Sequence, residues 1–255
     1  AYVQHLVASG LDLNDKQACH ETGRRFLESL DAAASEEQPP ASSSEGHTDD
    51  GGAREVVLHL CVEAGDHFFH DNENRAFVLV REGGVARTLS VKSREYGLLL
   101  GRRFYRATGS GLPSAAKTEA IATLEGLAIF DGPEEMVFVR SGEYEGKVVL
   151  DLCDEQWRVV VIGKVGWEVA TESPIRFRRT RGMLALPAPV PGGSINDLRP
   201  FINVPTDNDF ILVCAFILGC FNPRGPFIIL RVNGEPGSAK STLCRVLRAL
   251  IDPNK

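Results

Sequence analysis

From Arg54 onward the spacing of apolar residues switches between a helical and a two-residue period, and the order of those switches lays out the chain. EVVLHLCVEAG (Glu55–Gly65) reads as a helix, and RAFVLVREGGVARTLSV (Arg75–Val91) as two alternating strands joined at Gly83-Gly84, a hairpin signal. Tyr96, Leu99, Leu100 and Phe104 fall on one helical face within Ser93–Ala107, with Ser93 as its N-cap. A further helix is predicted over Ser114–Leu127, with Ile121, Leu124 and Ala128 inward and Pro113 just before its start. Residues 136 to 178 then change period: MVFVR, KVVLDL, WRVVVI, GWEVA and PIRFR are short β-rich runs separated by Gly, Glu or Asp, which predicts a small antiparallel sheet. Helices and hairpins interleaved in this way make one α+β module.

The pattern breaks twice. Ser35–Gly52 (SEEQPPASSSEGHTDDGG) has no apolar residue large enough to anchor it and is expected as a disordered linker, preceded by a short helix over Cys19–Leu30. Arg181–Pro200 carries Pro187, Pro189, Pro191 and Pro200 with Gly192-Gly193, a stiff connector and a joint. The expected organisation is therefore an acidic segment over 1–54, an α+β module over 55–186, a linker over 187–200, and a last unit over 201–255. That unit opens with an apolar helix, Asp207–Phe221, and continues through NPRGP into a strand, FIILRVN (Phe227–Asn233). No repeat at solenoid spacing is present.

Composition changes this picture little. With 255 residues, 43% hydrophobic and 24% charged, the chain is globular, and disorder throughout is excluded. The net charge of −6 belongs to the first 55 residues, which hold 4 basic and 11 acidic side chains, so the body is close to neutral. Six scattered cysteines, without a CxxC pair, fit a reducing cytoplasmic compartment. The N-terminus lacks the basic start and apolar run of a signal peptide. The longest apolar run, Phe210–Phe221, is shorter than the roughly 20 residues that span a bilayer, so no membrane partner is expected.

The residues that bear chemistry follow the predicted strand. GEPGSAKST comprises Gly234, Glu235, Pro236, Gly237, Ser238, Ala239, Lys240, Ser241 and Thr242, and leads into LCRVLRALID, with Leu243, Val246, Leu247 and Leu250 on one helical face. Strand, glycine loop, lysine, hydroxyl and helix in that order form a phosphate-binding loop: backbone amides and a helix N-terminus face the phosphates, Lys240 reaches the β and γ groups, and Ser241 meets Mg²⁺. The usual motif is GxxxxGK[ST]; Ala239 stands where its second glycine belongs and fits if its backbone is right-handed, and Gly237 supplies some of the lost freedom. The expected cofactors are ATP and Mg²⁺.

Other candidates have plainer readings. Asp66, His67, His70 and Asp71 are metal-ligand types, but their setting reads as a strand edge. Glu134, Glu135, Asp151 and Asp154 read as solvated turn residues. Arg176, Arg178, Arg179 and Arg181 lie in a stretch, 158–181, of net charge +4, which suits either contact with a nucleic-acid backbone or a charge-protected strand edge.

The runs RRFYRATG (Arg102–Gly109), FDGPEEMVFVR, VVLDLCDEQW, PIRFRRTRGMLALPAP, LRPFINV, RGPFIIL and GEPGSAKSTL together resemble phage- and mobile-element-encoded P-loop ATPases related to primase-helicase replication proteins of the superfamily-three type. The likeness covers about residues 55 to 255. It implies a helicase-like DNA motor, working as a homo-oligomer, in the likeness a hexamer, on single- or double-stranded DNA, with the α+β module leading into the opening part of an α/β P-loop NTPase domain. Only Gly234, Gly237, Lys240, Ser241 and Thr242 match a functional motif. A chain that opens at Ala1 and stops at Lys255 is expected to be an excerpt, with the acidic strand end, the sensor and the arginine finger beyond it and no ATP hydrolysis of its own. Two alternatives stay open: a nucleic-acid-binding or partner-recruiting module with a degenerate loop, and a P-loop ATPase acting as a switch away from DNA.

Overall fold

The structure, a computed structural model, describes residues 50–255; the expected Cys19–Leu30 helix and most of the expected linker lie outside the described residues. The first helix, α1 (Asp50–Glu63), starts inside the span that composition assigned to the linker. Three strands follow, β1 (His67–His70), β2 (Ala76–Glu82) and β3 (Val85–Ser90), with β2 in the middle of an antiparallel sheet. Glu82 pairs with Val85 across the Gly83-Gly84 turn, as the alternation predicts.

Five consecutive residues of β2, Ala76 to Val80, are buried, because both faces of the sheet are covered. Ala76, Val78 and Val80 join the main core with Val57, Leu89, Tyr96, Leu100 and Leu124. Phe77 and Leu79 point the opposite way, onto Phe69. Helix α2 (Arg94–Thr108) begins where expected: the Tyr96 amide donates to Ser93 Oγ at 3.1 Å. Helix α3 (Ser114–Gly126) buries Ala116, Ala120 and Leu124, and runs into a wider π-helical turn, Leu127–Asp131, that buries Ala128.

A second antiparallel sheet is a meander of β5 (Ser141–Tyr144), β6 (Lys147–Asp151), β7 (Val159–Gly163) and β8 (Gly166–Ala170). The expectation of one antiparallel sheet over 136–178 needs correcting at both ends. Strand β4 (Val137–Phe138) pairs in parallel with β9 (Arg176–Phe177), outside the meander. Phe177 thereby reaches a third small core with Val149, Val159 and Val161, and that burial outweighs the local preference for a hairpin.

The chain then crosses Pro187 to Gly193, and a Ser194/Asp197 capping box starts a 3₁₀ turn, Ile195–Phe201, which runs through the expected boundary at residue 200. Helices α4 (Asp207–Cys220) and α5 (Lys240–Ile251) enclose the last core, formed by Ile202, Phe210, Val213, Ile217, Leu243 and Leu247. The architecture is α+β. Among the described residues no helix is long and apolar enough to cross a membrane.

One polar group is set deep in the main core. Tyr96 is fully buried, and its hydroxyl donates to Asp66 at 3.2 Å and lies 3.4 Å from Cys61 Sγ. Arg103, with a side chain 11% exposed, donates twice to the 0%-exposed Asp66 carboxylate, at 2.6 and 3.0 Å. Burial pushes the Cys61 thiol up to about 11, which makes it an inert packing residue. Asp66→Ala removes the two shorter bonds of Arg103, which keeps Glu82 at 3.3 Å, and the carboxylate partner of the Tyr96 hydroxyl, and is expected to cost about 1–3 kcal/mol. Urea unfolding checks this; a loss below about 1 kcal/mol, the value of a surface pair, would contradict it.

Candidate functional site

The phosphate-loop residues lie together at the start of α5. Pro236 and Gly237 take the two central places of a β-turn in which the Ser238 amide donates to the Glu235 carbonyl at 3.2 Å. Proline fixes the first place, and Gly237, with φ of 84°, supplies the left-handed second place of a type II turn. At Gly234 a Cβ would stand 2.5 Å from Ser238 Oγ, so only glycine lets the loop fold back on itself. Leu243 makes the first helical hydrogen bond, to the Ala239 carbonyl at 3.0 Å. The amides of Lys240, Ser241 and Thr242 therefore have no acceptor within the helix, and no side chain caps it.

Lys240 Nζ donates to the carbonyls of Gly234 (2.8 Å) and Glu235 (2.6 Å) and to Ser238 Oγ at 3.3 Å. A flexible cation beside three open amides and the positive end of a helix can accept an anion with several oxygens. Ser241 is exposed at the helix start. For Mg²⁺ it is one hydroxyl donor, and the described residues form no cluster of three His, Cys, Asp or Glu side chains. The donor set fits a hydrated ion brought in on a ligand's phosphates, and not one held by the protein alone.

Two expectations are corrected here. Ala239 is left-handed, with φ of 62° and ψ of 20°, because the chain must reverse its hand between the turn and α5. The methyl group therefore bears a strain of roughly 1–2 kcal/mol, which glycine would avoid. Phe227–Asn233 forms no strand among the described residues. The nine strands among the described residues all end by Phe177, and a strand needs a paired neighbour. Leu230 and Val232 still pack against the α4–α5 core, whereas Phe227 and Ile229 are 73% and 91% exposed.

The four arginines part company. Arg176 donates to Glu135 at 2.7 Å. Arg179 grips Asp151 through two bonds of 2.9 and 2.7 Å, with its guanidinium 3.8 Å from the centre of the Trp157 ring. Arg178 and Arg181 make no ion pair among the described residues, and both line a groove of about 610 Å³ with Arg75 and Lys92.

Three of the four acidic candidates, Glu135, Asp151 and Asp154, are ion-pair partners and not solvated turn residues, whereas Glu134 is exposed at its turn as expected. Asp151 is 1% exposed under Arg179, and Asp154 accepts from Arg158 at 2.6 Å. Glu135 accepts from both His67 and Arg176, at 2.5 and 2.7 Å. His70 Nδ1 sits 3.0 Å from the Asp71 carbonyl, and the Asp71 carboxylate is taken by the Glu73 and Arg75 amides and the Arg75 guanidinium. The metal-type residues are thus spent on β1, which is an edge strand as expected. Sequence reading also passed over Arg140, which is 5% exposed and bonded to Asp252 in the segment closing α5. Its place in an apolar run gave no sign of this.

Comparison with protein-family models, with curated proteins and with solved structures finds no match for the chain.

Replacing Ala239 by glycine is expected to stabilise the loop by about 1 kcal/mol, the released strain being offset in part by a freer unfolded chain. Amide hydrogen exchange at Leu243, whose amide bonds the Ala239 carbonyl, checks this, and faster exchange in the variant would contradict it. A second expectation concerns acid. Burial pushes Asp71, Glu135 and Asp154 up, but the hydrogen bonds from Arg75, from His67 and Arg176, and from Arg158 outweigh it and hold all three below their ordinary values. Their stabilisation is complete above the unfolded-chain values of about 4 and is lost as pH falls through the lower folded values. A urea midpoint unchanged across that window would overturn this.

Proposed function

We propose that residues 201–255 are the opening part of an α/β P-loop NTPase domain, and that the chain is the ATP-binding part of a DNA-processing motor of the helicase or primase-helicase kind. The observation that carries the reading is the combination at one point of the Pro236-Gly237 turn, three helix-start amides without intrahelical acceptors, and the Lys240 ammonium resting on loop carbonyls. On binding, Lys240 exchanges those carbonyls for phosphate oxygens, and the amides of Lys240, Ser241 and Thr242 take others. Ser241 offers its hydroxyl to Mg²⁺ carried by the nucleotide. The reading brings with it a ring-shaped homo-oligomer and a reducing cytoplasmic setting; Cys61, Cys153, Cys214, Cys220 and Cys244 are all free thiols. Ala239 favours the alternative of a weakened loop in a nucleic-acid-binding module, since its strain opposes the conformation that phosphate requires.

Hydrolysis needs an acid on the metal ion and a group to position water. Within the loop the one carboxylate is Glu235, which is exposed, so binding without turnover is expected of this chain. Titration with a fluorescent ATP analogue and Mg²⁺ should show saturable binding that Lys240→Ala weakens at least about thirtyfold, equal to roughly 2 kcal/mol. Unchanged affinity in the variant would sink the assignment, and multiple turnover by the wild-type chain would overturn the expectation of binding alone.

A further inference from the structure

A groove beside the β2–β3 hairpin lies away from the loop, its apolar lining shared with the cores through Ala76, Phe77 and Leu89. Thr88 and Ser90 line it together with the cations Arg75, Lys92, Arg178 and Arg181 and the carboxylates Glu95 and Glu125, of which Glu95 lies 3.9 Å from Arg87. The four cations are not equally answered. Arg75 is matched by Asp71 at 2.6 Å and Lys92 by Glu125 at 2.7 Å. Arg178 and Arg181 have no carboxylate within ion-pair distance among the described residues, so the unneutralised positive charge lies on one segment.

That segment is held in place by its backbone. The Arg178 amide donates to the Phe138 carbonyl at 2.9 Å, extending the β4–β9 pairing, and Arg179 anchors the next position on Asp151. Beyond Arg181, the Met183 amide turns back to Thr180 at 3.2 Å, and the Lys255 amide donates to Gly182 at 3.0 Å. Two guanidinium groups without an ion pair among the described residues thus belong to a segment fixed at both ends, in a groove that also offers hydroxyl groups suited to phosphate oxygens.

We infer that this groove binds single-stranded nucleic acid through its phosphodiester backbone. A concave space of about 610 Å³ admits one strand, whereas a duplex is read by elements that project into its own grooves. Trp157 lines the groove, but Arg179 covers its ring at 3.8 Å, so the contact is with phosphate and tolerates any sequence. The geometry alone argues for a chain of phosphates; the choice of nucleic acid among polyanions rests on the proposed motor function.

Fluorescence anisotropy of the whole chain with a labelled oligothymidylate, over a salt series and without ATP, tests this. Wild-type protein should bind with an affinity that falls as salt rises. The double variant Arg178→Ala/Arg181→Ala should bind at least about tenfold more weakly, with a salt slope shallower by about 1.4 for two lost phosphate contacts. Arg178→Lys/Arg181→Lys should retain most of the affinity, because a phosphate contact needs charge more than a fork, and it separates loss of charge from loss of fold. No binding by wild type, equal affinity and slope in the alanine variant, or tighter binding of a duplex would each overturn the inference. Lys240→Ala should bind the oligonucleotide as wild type does, so failure of the ATP site and failure of the groove are told apart.

Discussion

One buried guanidinium anchors the helix that carries the Gly234–Thr242 loop. Arg140, whose side chain is 7% exposed, donates to the Asp151 carbonyl at 3.1 Å, the Leu184 carbonyl at 2.9 Å and the Asp252 carboxylate at 2.8 Å. Its planar fork therefore ties the meander, the segment after β9 and the end of α5 at a single point. A hydrogen bond from the Leu184 amide to the Pro253 carbonyl, at 2.9 Å, runs alongside. Arg140 keeps this position with a left-handed backbone, φ of 62°, a conformation that costs an arginine energy and persists because its surroundings demand it. Helix α5 is thus clamped to the β-rich module at its C-terminus and bears the loop at its N-terminus, 12 residues and roughly 18 Å away.

The same economy of charge runs through the module. Buried or half-buried carboxylates at Asp66, Asp71, Glu135 and Asp151 each meet an arginine; Asp71–Arg75 closes the β1–β2 turn, and the other three pairs join elements distant in sequence: α2 to the α1–β1 turn, and β9 and the segment after it to the Pro133–Met136 turn and β6. Such pairs add little net stability when complete, but are costly to break singly. They select one arrangement of small sheets whose separate cores are modest. Among the described residues Arg178 and Arg181 are cations that this pairing leaves without a carboxylate, and they sit together in one groove.

At the loop, strain and chemistry coincide. The turn over Glu235–Ser238 and the start of α5 require a left-handed residue between them, and Ala239 accepts that conformation at a cost. Next to it, Lys240 satisfies loop carbonyls that would otherwise crowd without donors. The bend is therefore held from within by a cation resting on its own carbonyls, beside helix-start amides that have no acceptor within the helix.

Much of this was legible in the residues alone, where the determinants are local. The Gly83-Gly84 hairpin, the Ser93 cap, the helical face of α2 and the extent of α3 each depend on dihedral preferences and spacings within a few positions, so sequence reading recovers them. It did not recover the parallel β4–β9 pair, the unpaired Phe227–Asn233, the hand of Ala239, the role of Arg140, or the division of the four arginines into two that are satisfied and two that are free. Each of those turns on which groups meet across long separations in the chain. Periodicity shows that a residue can be buried or charged, whereas packing and desolvation decide what it is buried against and which charge answers it.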